Sequence, residues 1–177
     1  MQLNSADVEI VHPPATDPIS LTRHAIDLQA ERKRRSKKED YVVRYNEVWV
    51  VFDLEGIHDE RRELAARAQK LPGARGICFA ESDPCFEYWL LLHEIYTTAP
   101  FENSDAVVRE LKKHWPGYAK GAMPSIEFIE KLPTAILNAD RCNVHHKESG
   151  GDGNPSTKIG ELALTLNNAQ RPGLRII

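Results

Sequence analysis

The chain has 177 residues, enough for one domain with a real core and cramped for two. A 41% hydrophobic and 28% charged composition excludes a disordered chain. A net charge of −3 excludes a general polyanion binder, so any nucleic-acid contact must come from a local patch.

The three cysteines, Cys78, Cys85 and Cys142, form no CxxC and no Cys/His cluster, which argues against a disulfide framework and a structural zinc. Met1–Ala6 is short and polar, without the apolar stretch of a signal peptide. The longest apolar run, Trp89–Leu92, is far too short to cross a membrane. A cytoplasmic protein is the expectation.

In chain order, Asp7–His12 alternates like a strand, closed by Pro13 and Pro14. Thr16 or Asp17 can cap a helix with Pro18 in its first position, running to about Ser36. Its end is strongly basic: Arg32, Lys33, Arg34 and Arg35, followed by Lys37 and Lys38. Cations there suit the helix dipole, and they equally suit a phosphate backbone. Glu47–Asp53 (EVWVVFD) reads as a central parallel strand buried on both faces. Glu60–Lys70 reads as a helix stopped by Leu71-Pro72-Gly73, and Gly76–Ala80 as the next strand.

Asp83 is expected to cap a helix whose first residue is Pro84, with Cys85–Ile95 buried all round. The alternation of strands and helices points to a parallel sheet. Beyond Pro100 the pattern turns helical: Ser104–His114 with Ser104 as cap, Met123–Asn138 interrupted by Pro124 and Pro133, and a last helix opened by Ser156 or Thr157 and running through Leu166. Glu148–Pro155 reads as a loop. The expected organisation is an α/β core over residues 1–100 and a helical C-terminal part of the same domain over 101–177.

Four constellations carry candidate chemistry. Asp53 and Glu55 stand two apart at the carboxyl end of the central strand, where open α/β sheets bind ligands. Two such carboxylates can converge on a hard cation such as Mg²⁺, or form an ordinary acidic turn. Glu87 lies four residues after Asp83 in a helix of apolar residues, where a charge must find a partner or a metal. Lys120 follows the rigid Trp115-Pro116-Gly117 turn and can meet a phosphate as a point charge, or simply be a surface lysine. Asn154-Pro155-Ser156-Thr157 at a helix start suits an anion or a cap, with capping the plainer use. Adjacent His145 and His146 point apart and form no metal pair, and His93 reads as a satisfied buried histidine.

Taken together, the chain resembles the RloB-like family, a Toprim-related group associated with phage defence. The resemblance rests on Thr16-Asp17-Pro18, Glu47–Glu55, Ser82–His93, Pro116–Lys120 and Asn154–Thr157, in that order over nearly the whole chain. It implies a Toprim-like parallel sheet flanked by helices. It also implies a Mg²⁺- or Mn²⁺-dependent phosphodiester-cleaving centre, with Asp53 and Glu55 as the metal-binding acidic pair. Glu87 would then be a third ligand or general base and Lys120 a phosphate or transition-state contact. Arg32, Lys33, Arg34, Arg35, Lys37 and Lys38 would track an RNA or DNA backbone. A partner ATPase and a homo-oligomer are further expected partners, and no membrane is. The family opens with a strand and a Gly-Glu-x-x-Thr-Glu-like turn that is not found before Asp53, and Glu9 is not its equivalent. A catalytically inactive effector that binds a nucleotide, a nucleic acid or a partner is therefore the rival expectation.

Overall fold

The computed structural model describes residues 8–55, 59–122, 124–150 and 153–169. Asp7, Met123, Gly151 and Asp152, which enter the expectations above, lie outside them.

Helix α1 spans Pro18–Arg35. Asp17 caps it by accepting the Ser20 N–H at 2.9 Å, and Pro18 occupies the first turn, where its missing N–H is not needed. Strand β1 follows at Val48–Asp53, helix α2 at Asp59–Gln69 and strand β2 at Ile77–Asp83. β1 and β2 are parallel, in register from Val48 opposite Ile77 to Asp53 opposite Ser82. A third strand, β3 at Ser156–Thr157, pairs antiparallel with the end of β2. The protein is thus a mixed α/β fold with a small three-stranded sheet in the order β1-β2-β3, flanked by helices.

The alternation along β1 decides its two faces. Val50 and Phe52 point to α1 and α2, where they meet Ala25 and Ala65, with Ile77 of β2 in the same cluster. Trp49 faces the larger cluster on the other side. That cluster is centred on helix α3 (Phe86–Leu91), helix α4 (Ser104–His114) and helix α6 (Leu132–Ser149), with Tyr88, Leu91, Leu92, Val107 and Leu111 fully buried. Short helix α5 (Ile126–Glu130) adds Phe128, and α7 (Ile159–Ala169) adds Ile159. Val51 is 47% exposed on β1, so the strand is not buried on both faces as its apolar run predicts. With no neighbour on its outer side among the described residues, it is an edge strand.

Several local expectations are corrected. Val8–His12 forms no strand. It finds no pairing partner, Ile10 stays 75% exposed, and Glu9 is drawn to Tyr45 instead. Asp83 ends β2 rather than capping α3, because Arg62 engages its carboxylate. α3 accordingly starts at Phe86, with Cys85 in the cap position and no side-chain bond there, and it ends at Leu91. Asn103, not Ser104, caps α4, accepting the Ala106 N–H at 3.0 Å. Pro133 sits in the first turn of α6, where proline is tolerated, so it opens that helix instead of interrupting one. α6 runs on through Ser149 and stops at Gly150, whose φ of 66° suits a residue without Cβ. Ser156 and Thr157 lie in β3. Thr157 still caps α7 through its Oγ1, which accepts the Ile159 N–H at 3.2 Å.

Candidate functional site

The carboxyl ends of β1 and β2 lie side by side, and three segments bring acids there. β1 delivers Asp53, the turn after it delivers Glu55, and the β2–α3 junction delivers Asp83 and Glu87. The turn is held by two backbone bonds, Leu54 N–H to Ser82 O and Glu55 N–H to Pro84 O, both 2.8 Å. Glu55 adopts φ of 61°, in the left-handed region that side chains rarely occupy.

Asp53 is the perturbed member. Burial pushes its carboxyl up from 3.8 to about 6, and the negative charge of Glu87 adds to the rise. The Phe86 N–H, which the carboxylate accepts, and the nearby Arg61 oppose that rise without cancelling it. Glu87 is 5% exposed and accepts the phenolic O–H of Tyr118 at 2.9 Å. The two carboxylates therefore share a partly dehydrated space, with Glu87 fixed in place by the tyrosine.

The other acids are matched with arginines. Arg61 donates Nε–H to the Asp53 carbonyl at 2.5 Å, pairs with Glu55 at 3.3 Å, and reaches the Thr16 carbonyl at 3.2 Å. Arg62 pairs with the buried carboxylate of Asp83. Glu55 is 58% exposed and turned toward Arg61, and its charge raises Asp53 less than that of Glu87 does. Among the described residues no group of three or more His, Cys, Asp or Glu stands ready to hold an ion. A donor set of two carboxylates still fits Mg²⁺, which is commonly held by one or two protein carboxylates together with substrate phosphates and water.

Lys120 is exposed, two residues past the buried Tyr118. The basic tract lies at the far end of α1. There Arg32 is committed to the Val43 carbonyl at 2.8 Å and to the Tyr45 ring, and Arg35 to Glu39 at 3.0 Å. His93 is buried, with Nδ1 3.1 Å from the Trp89 carbonyl and its ring stacked on Phe128, and burial lowers its pKa. Asn154 is bound to both backbone groups of Phe101, and the Thr157 hydroxyl meets that of Ser82 at 2.8 Å.

Two residues of this region escaped the sequence reading, Arg61 and Arg62, and Tyr118 stood in the Pro116–Lys120 motif without a role of its own. The arginines did leave a signal. They stand in the first turn of α2, where the dipole disfavours cations, so acidic partners across the chain should be sought for them. Tyr118 reaches Glu87 across 31 residues, a pairing that its motif did not encode.

Fold and site together define an α/β protein with buried and half-buried carboxylates at the carboxyl edge of a parallel strand pair. A family model described as RloB-like protein matches residues 2–166. The chain belongs to the RloB-like family. No curated protein and no solved structure matches it. No helix among the described residues is long and apolar enough to cross a membrane.

Proposed function

We propose that this chain is a metal-dependent, nuclease-type domain of Toprim-like kind, cleaving phosphodiesters of RNA or DNA in defence against phage. The observation that carries the reading is that Asp53, partly buried at the strand end, feels the negative charge of the buried Glu87 carboxylate. Such an arrangement raises the free energy of the empty site, and a divalent cation relieves it. Asp53 and Glu87 would hold Mg²⁺ or Mn²⁺, and Glu55 would join by leaving Arg61. The ion would supply charge neutralisation at the phosphate. Tyr118 keeps Glu87 oriented, and Arg61 keeps the Asp53 turn closed. Lys120 would meet a substrate phosphate.

Calorimetric titration with Mg²⁺ and Mn²⁺ tests this directly. Binding at millimolar concentration or tighter should vanish in Asp53→Ala, and metal-dependent cleavage of RNA or DNA should vanish with it. Full cleavage by an Asp53→Ala, Glu55→Ala double variant would sink the proposal.

A second reading is a catalytically inactive effector that binds a nucleotide, a nucleic acid or a partner ATPase through the same edge. The pairing of Glu55 with Arg61 and of Asp83 with Arg62 favours it, since two of the acids already have cations. Metal-dependent turnover would exclude it. The outer edge of β1, unpaired among the described residues, is also where a homo-oligomer would form, and a mass that stays monomeric across concentrations would rule that out.

A further inference from the structure

The far end of β1 carries cations and aromatics that the acidic pair does not use. α1 runs beside β1 in the opposite sense. Thr16, just before the helix, is tied through Arg61 to Asp53, whereas Arg32, near its end, is tied to Val43 and Tyr45. The sixteen-residue step from Thr16 to Arg32, helical from Pro18 onward, spans about 24 Å. On the sheet side, Val48–Asp53 is extended over about 17 Å, and a bend at Asn46 leads back to Tyr45. The two ends of this layer are therefore about 25 Å apart.

At the far end, Lys33, Arg34, Lys37 and Lys38 are exposed. Val42, 7% exposed, anchors the segment that follows and turns its neighbours outward: Tyr41 is 81% exposed and Val43 69%. The Tyr45 ring is held rigidly, with Arg32 5.0 Å from its centroid and its hydroxyl donating to Glu9 at 2.5 Å. Glu9, Glu31, Glu39 and Asp40 lie in or beside the same region, and Glu39 neutralises Arg35. The remaining positive charge is too modest to grip a duplex by electrostatics alone. The Tyr41 hydroxyl donates to the Glu39 carboxylate while its ring stays exposed. An exposed ring close in sequence to lysines suits a base that is free to leave its stack, and stacking of that kind needs an unpaired strand.

We propose that the cation-rich end of α1 and the Tyr41–Tyr45 segment form a platform for single-stranded nucleic acid, separate from the acidic pair and about 25 Å from it. Tyr41 stacks a base, and Lys33, Arg34, Lys37 and Lys38 take the phosphates. As an element of substrate capture it rests on the nuclease reading above, and as a binding surface it stands alone. At 3.4 Å per stacked nucleotide, about seven nucleotides bridge platform and acidic pair, so the substrate is a polymer and not a free nucleotide.

Fluorescence anisotropy on the full chain tests it, with labelled oligothymidylate and oligouridylate of about twelve nucleotides, longer than that span, and a blunt duplex of equal length. Single strands should bind more tightly than the duplex. Tyr41→Ala should weaken single-strand binding by about tenfold or more, and Tyr41→Phe should preserve it. Replacing Lys33, Lys37 and Lys38 by alanine should weaken binding and flatten its salt dependence. The two oligonucleotides report whether DNA or RNA is preferred. Equal affinity for the duplex, no effect of Tyr41→Ala, or no binding at low salt would each overturn the platform. Cleavage is scored separately: a protein that binds single strands but never cuts them upholds the platform and sinks the nuclease reading. Cutting with no loss on Tyr41→Ala does the reverse.

Discussion

Replacing Asp53 by asparagine should stabilise the protein, and only at neutral or alkaline pH. In the unfolded chain this carboxyl titrates near 3.8, and in the folded protein near about 6, because burial and the Glu87 charge both disfavour its ionised form. Between those values the folded state binds more protons than the unfolded one. Stability due to this group therefore falls as pH rises through the window, and the deficit is complete above about pH 6. At 1.36 kcal/mol per pKa unit the deficit has a ceiling of about 3 kcal/mol, and screening on the open side of the site lowers it to about 2 kcal/mol. Asparagine keeps an oxygen for the Phe86 N–H but carries no charge. Its advantage over wild type should be near zero at about pH 4 and about 2 kcal/mol at about pH 8, or several degrees in Tm for a chain of this size. Urea unfolding of both proteins across that range measures it. An advantage at pH 8 no larger than at pH 4 would refute the claim that Asp53 sits in a dehydrated, like-charged site.

Mg²⁺ or Mn²⁺ at ten times its Kd should stabilise wild type by about 1.4 kcal/mol at pH 8 and leave Asp53→Asn unchanged, as read from Tm with and without metal. Tyr118→Phe removes the hydrogen bond to the buried Glu87 carboxylate. It should cost about 1.5–3 kcal/mol in urea unfolding and weaken metal binding, and an unchanged protein would place the phenol outside the site. Arg62→Ala removes the ion-pair partner of buried Asp83, for a cost of about 3 kcal/mol, and adding Asp83→Asn should recover part of it in a double-mutant cycle. Leu111→Ala, at a fully buried position of the main core, should cost about 2–5 kcal/mol without changing metal affinity.

Where the physics is local, the sequence by itself determined the outcome. The cap at Asp17 and Pro18, the apolar run of β1, and the Ala-rich α2 follow from hydrogen bonds and burial patterns within a few residues of each other. Asp53 at the end of its strand and Glu87 among apolar neighbours were legible in the same way. What they do to each other was not. Glu55 turns to Arg61, Asp83 leaves its expected cap for Arg62, Glu87 receives Tyr118, and Thr157 joins β2 across 75 residues to meet Ser82. These partners are chosen by which ends of strands and helices the fold brings together. A charge in a dehydrated space takes whichever donor the packing puts within hydrogen-bond reach, and spacing along the chain does not encode that choice.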